Sequence, residues 1–161
     1  MTRSLLILLA TLGSAALLAG AFASQYIGGL APCQLCLWQR WPHAAALLIG
    51  GIALLAPPGQ RALAAIGALA ALTTAGIGAF HTGVEQTWWD GLASCTASSL
   101  DGVSMADLLN PDVVVAAPIR CDAVAWQMFG LSMASWNLLA SLALAAVWII
   151  AATRPRQLRT N

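Results

Sequence analysis

The chain has 161 residues, of which 60% are hydrophobic and only 8% charged, whereas soluble domains carry about 25% charge. That composition excludes an ordinary soluble domain and points to a membrane protein. The net charge of +1 contains no lysine, and no basic run is present that could track a phosphate backbone, so a nucleic-acid binder is excluded as well.

Four windows are apolar enough to cross a hydrocarbon core, which takes roughly 20 helical residues. The first, 5–23, follows Arg3 and ends in Ala21-Phe22-Ala23, imitating a secretory signal and its cleavage site. Its apolar run outlasts the roughly 7 to 15 residues of a signal core, so it is read as a retained span. The second, 37–56, is the weakest, because its purely apolar part starts at Ala44 and it must recruit Trp38 to His43. Pro42 predicts either a helix that starts at Trp41 or a kink, since a proline ring clashes with the carbonyl four residues back. The third window, 62–80, follows a "PPGQR" turn, and the fourth is 131–153. The prediction is an all-α membrane protein, one domain over 1–161, built as a four-transmembrane-helix bundle. Its outer segments are 24–36 and 81–130, the second being a long extracytoplasmic loop between the third and fourth spans. Within that loop "SMADLLN", closed by Pro111, reads as a short amphipathic helix able to lie on a membrane surface.

Orientation follows from the arginines. In a four-pass layout Arg3, Arg61, Arg154, Arg156 and Arg159 fall on one side and Arg40 and Arg120 on the other, which predicts cytoplasmic termini. Trp38, Trp41, Trp88, Trp89 and Trp126 gather at the outer ends of the spans as an interfacial belt, with Trp148 toward the inner end of the last.

This layout puts all four cysteines outside: Cys33 and Cys36 in the short segment, Cys95 and Cys121 in the long one. Disulfides persist in such a compartment, and an even count suggests two pairs, with three connectivities open. Two structural staples are the plainest reading. Against it, a CxxC ring is small and removes little chain entropy, while the same spacing suits a thiol pair with a lowered pKa. A zinc site is disfavoured, because structural Cys₄ sites use two close-spaced knuckles and Cys95 and Cys121 are far apart, so no metal is expected. Arg40 stands one helical turn after Cys36, and His43 continues the same face. A guanidinium there stabilises a Cys36 thiolate or binds the carbonyl of a reducible ring; the alternative is an arginine snorkelling to lipid headgroups. Arg120, beside Cys121, is a weaker candidate for lowering a thiol pKa.

The stretches "GLAPCQLCLWQRWPH", "FHTGVEQTWW", "SCTASS" and "CDAVAWQMFGLSMASWN" together resemble the disulfide bond formation protein B (DsbB) family of bacterial inner membranes, over nearly the whole chain and in order. The resemblance implies a four-helix quinone reductase that reoxidises DsbA, a soluble periplasmic thioredoxin-fold oxidase. By position it assigns Cys33 and Cys36 to the quinone-coupled pair, with Cys36 touching the quinone, and Arg40 to quinone use. It assigns Cys95 to the mixed disulfide with DsbA and Cys121 to its pair partner. His81 falls near a histidine linked to quinone affinity, and a plain interfacial histidine is the competing reading. The implied cofactor is ubiquinone or menaquinone. Two rival functions are a vitamin K epoxide reductase-like thiol oxidase, whose CxxC usually comes late in the chain, and a non-catalytic membrane protein with structural disulfides.

Overall fold

The computed structural model of the protein describes residues 1–93 and 119–155. Helix α1 (Arg3–Tyr26) begins where the Thr2 hydroxyl accepts from the Leu5 N–H, an N-cap that satisfies one orphan donor of the first turn. After Gly29, whose φ of 66° suits a residue without Cβ, helix α2 (Gln34–Leu55) starts at Cys33. A 3₁₀ turn (Pro57–Gly59) leads into α3 (Gln60–Glu85). A two-stranded antiparallel hairpin pairs β1 (Gln127–Met128) with β2 (Leu131–Ser132). Its turn residues Phe129 and Gly130 both have positive φ, 53° and 77°, the backbone twist that closes two-residue hairpins. Ser132 then caps α4 (Met133–Thr153) by accepting from the Ser135 N–H.

Three segments, Arg3–Tyr26, Pro57–Glu85 and Met133–Thr153, are long and apolar enough to cross a membrane, with mean hydropathies of 2.3, 1.8 and 1.8. They fit a membrane protein. Helix α2 differs because Gln34, Gln39, Arg40 and His43 load its first half with polar groups. It runs unbroken through Pro42, so the Trp38 carbonyl forgoes its usual donor and the predicted start at Trp41 gives way to one at Gln34. Helix α3 continues to Glu85, which moves His81 from the predicted outer segment into a helix. Leu131 and Ser132, predicted as the start of the last span, form a strand instead. The predicted helix at 104–110 and Cys95 lie outside the described residues.

The helices form a ring in chain order, each packed on its neighbours, with α3 on α4 the most extensive pairing and α1 closing the ring against α4. At one end Arg3 joins the start of α1 to the end of α4, its Nε–H donating to the Ala151 carbonyl at 3.0 Å and its Nη2 to that of Arg154. The core beside this end is dominated by small side chains, Ala10, Ala53, Ala64, Ala68 and Ala145, which with Leu6 and Ile7 surround the fully buried Trp148. Small residues are needed because lipid tails are as apolar as leucine, so helices gain by close contact and not by escape from the solvent. Accordingly Leu12, Leu48, Leu69 and Ile150 are exposed on the outside. Trp38, Trp41, Trp88, Trp89 and Trp126 are also exposed, whereas Trp148 is buried in the packing.

Trp148 lies on the bare backbone of Gly67, where an added Cβ would come within 2.7 Å of its ring. Gly67→Ala is therefore expected to lower stability by about 1–3 kcal/mol, the usual cost of overpacking. Gly76→Ala on the same helix, with nothing within 4 Å of the added carbon, is expected to be near neutral. Thermal unfolding of both variants in detergent checks the pair.

Candidate functional site

The two thiols of the CxxC element stand at the start of α2, where orphan N–H groups and the helix dipole favour negative charge. Cys33 is the N-cap: its sulfur accepts from the Cys36 N–H at 3.2 Å. Both thiols are free, Cys33 buried and Cys36 partly accessible, with their sulfurs 2.8 Å apart. Cys36, ahead of the apolar part of α2, has its pKa pulled down to about 7. The main cause is the hydrogen bond from the Cys33 thiol, opposed by burial; the Cys33 backbone adds to the lowering, Glu85 opposes it, and Arg40 contributes least. Cys33 keeps its proton, its pKa raised by that same hydrogen bond and then by burial. The negative charge therefore sits on the more accessible sulfur. Alkylation of the reduced protein should accelerate as pH rises through about 7, because Cys36 is a thiol below that value and a thiolate above it. Cys33→Ala removes the donor, moves the midpoint up and slows the reaction at neutral pH by roughly tenfold. Rates followed by mass spectrometry across pH test this.

His81 stands against this pair. It is 3% exposed, with Nε2 at 3.6 Å from the Cys33 sulfur and 3.8 Å from Glu85 Oε1. The same ring hydrogen-bonds the backbone of Cys121, so one side chain touches the CxxC pair and the segment carrying the third cysteine of the described residues. Cys121 is buried and disulfide-bonded. The Glu85 carboxylate accepts from the Ser132 hydroxyl, tying the end of α3 to the cap of α4. The donor atoms of Cys33, Cys36 and His81 lie within 4.8 Å of one another.

Arg40 reaches across to α1. Its Nη1 donates to Gln25 Oε1 at 2.6 Å and its Nη2 to the Ala21 carbonyl at 3.3 Å, with the guanidinium 4.9 Å from the Phe22 ring centroid. Its Nε is buried without a partner. Cys33, Cys36, Arg40, His43, His81 and Asn137 all border one cavity of about 400 Å³, whose remaining wall is mostly apolar and includes Leu17, Ala21 and Trp136. A mostly apolar cavity with a few convergent polar groups is the usual form of a small-molecule site.

The family model described as Disulfide bond formation protein DsbB matches residues 3–151. The chain belongs to the DsbB family. Among curated relatives, the Disulfide bond formation protein B of Stutzerimonas stutzeri is 33% identical over 156 residues, covering 90% of this chain and 91% of the relative. That of Hahella chejuensis is 29% identical over 165 residues, covering 97% and 98%. That of Methylococcus capsulatus is 33% identical over 145 residues, covering 86% and 87%. No solved structure matches the chain.

Within this DsbB family member, the fold brings together Cys33, Cys36, Arg40 and His81, and it places Cys121 within reach of His81. Cys95 lies outside the described residues. Arg120 is paired with Asp122, which raises the arginine pKa and lowers that of the aspartate, and its neighbour Cys121 is oxidised. Sequence reasoning missed Gln39, Asn137, Glu85 and Ser132. Their signal was faint but present, since polar residues within or beside apolar windows need partners.

Proposed function

We propose that the chain is a quinone-dependent, disulfide-generating oxidoreductase of the bacterial inner membrane that reoxidises a DsbA-like periplasmic oxidase. The observation that carries the reading is the charge-bearing Cys36 on the wall of an apolar cavity, with its proton-holding partner Cys33 beneath it. The residues fit a quinone, ubiquinone or menaquinone: the walls are apolar, a sulfur borders the space, and the buried Arg40 Nε–H has no partner. Arg40 and Cys36 would hold the ring, and His81 would support the pair from behind. When bound, the quinone supplies the sink for two electrons and two protons.

The remaining chemistry belongs to this chain. The four cysteines include free Cys33 and Cys36 and oxidised Cys121, and we assign Cys95 as the partner of Cys121. Reduced client attacks the Cys95–Cys121 disulfide and leaves as a disulfide itself, so Cys95 and Cys121 become thiols. Exchange with an oxidised Cys33–Cys36 pair restores Cys95–Cys121 and leaves Cys33 and Cys36 as the dithiol. Each exchange proceeds through a thiolate and speeds up with a better leaving group; once both thiols are reduced, Cys36 is the thiolate near neutral pH. The proposed topology is four-pass, with cytoplasmic termini and periplasmic cysteines. Three apolar helices, the arginine bias and the hydrogen bond from the start of α1 to the end of α4 support it.

The test is purified protein with reduced client and a defined quinone, in which no client oxidation would remove the reading. In the same assay Arg40→His should raise the apparent KM for quinone roughly tenfold, the scale of one lost charged hydrogen bond. An unchanged KM would return Arg40 to a headgroup role.

A further inference from the structure

A chain of buried and half-buried polar side chains joins α2, α3 and α4 behind the thiol pair. Gln39, His43 and His81 are at most 7% exposed and Thr74 is fully buried. The direction of every bond in it can be read from one fixed acceptor. Gln39 Nε2 lies 3.2 Å from the Leu35 backbone carbonyl, which can only accept, so this atom is the amide nitrogen. The same nitrogen lies 2.9 Å from His81 Nδ1. Gln39 Oε1 accepts from Asn137 Nδ2 at 2.7 Å. Asn137 Nδ2 also donates to Thr74 Oγ1 at 3.2 Å, and the Thr74 hydroxyl passes its own hydrogen to the Gln39 backbone carbonyl at 3.1 Å. Asn137 Oδ1 in turn accepts from His43 Nε2 at 3.0 Å. Turning either amide round would set oxygen against oxygen at Leu35 or between the two amides. His81 Nδ1 is therefore an acceptor, and its ring proton is on Nε2.

We propose that Gln39 and Asn137 are positioning residues that hold His81 in the Nε2–H form, presenting that N–H to the Cys33 sulfur and the Cys121 backbone. His81 then acts as a hydrogen-bond donor between the two cysteine centres, steadying negative charge on Cys33 when that sulfur loses its proton. It is neither a base toward Cys33 nor a metal ligand in this form, although Cys33, Cys36 and His81 are close enough for a thiophilic ion, because the nitrogen facing the sulfurs has no free lone pair. The role deepens the proposed redox function of the Cys33–Cys36 pair and rests on that reading for its use, though not for its geometry.

The chain has two histidines, which makes ¹⁵N-histidine NMR of the reduced protein in detergent direct. The variant His43→Gln, whose amide keeps a donor toward Asn137, assigns the remaining signal to His81. The expected result is an Nε2-protonated His81 in the unaltered chain and a shift to the Nδ1-protonated form in Gln39→Glu, where a carboxylate oxygen faces Nδ1. The second readout is Zn²⁺ titration of the reduced protein. Gln39→Glu should bind Zn²⁺ about tenfold tighter than the unaltered chain, the scale on which outer partners tune metal ligands, and His81→Ala should erase the gain. A merely structural role of Gln39 would not create a new affinity. An Nδ1-protonated or mixed His81 in the unaltered chain overturns the proposal, as does equal Zn²⁺ affinity with an unchanged tautomer in Gln39→Glu. If Gln39→Glu does not fold, the tautomer of the unaltered chain decides alone. Neither readout uses quinone or client, so failure here and failure of the proposed function are told apart.

Discussion

Cys36→Ser is expected to reduce client oxidation by at least about three orders of magnitude, because it removes the nucleophile on which the exit of electrons depends. The reasoning starts from charge. Of the two thiols, Cys36 is the accessible one and holds its proton weakly, with a pKa of about 7, while Cys33 is buried and retains its proton. A serine hydroxyl is of similar size and the variant keeps Cys33, the cap of α2, so it should remain folded. Stopped-flow measurement of quinone reduction and gel-shift alkylation of the client both report the result. Near-normal turnover in Cys36→Ser would mean that the outlet is elsewhere.

Cys95→Ser separates the two halves of the proposed path. Client oxidation should be abolished, while the reduced Cys33–Cys36 pair is still oxidised by added quinone, since both thiols of that pair border the cavity directly. Quantifying free thiols on Cys33 and Cys36 after quinone addition, alongside client turnover, gives the contrast. Unchanged client turnover would remove Cys95 from the scheme. The two variants thus predict opposite behaviour at the quinone step, a distinction that neither a structural staple nor a general loss of folding reproduces.

Several features needed no coordinates. The apolar windows announced long helices because a backbone in lipid must satisfy its own hydrogen bonds, and the observed α1, α3 and α4 contain or overlap the predicted windows. The CxxC spacing with Arg40 a turn later singled out three side chains that border one cavity, since residues three and four apart share a helix face. Boundaries were less legible: Pro42 predicted either a start at Trp41 or a kink, and α2 starts at Gln34 and continues through it, packed against α1 and α3.

What the chain alone determined is its membrane character, its family motifs and the identity of the sulfur atoms, all of them encoded in local composition and spacing. Only the tertiary structure decided that Arg40 is held by Gln25 and the Ala21 carbonyl on α1. It likewise decided that His81 faces Cys33, and that Gln39 and Asn137, 98 positions apart, are hydrogen-bonded. The reason is physical: a hydrogen bond between side chains on different helices depends on how those helices rotate and pack, and no periodicity within a single segment carries that information.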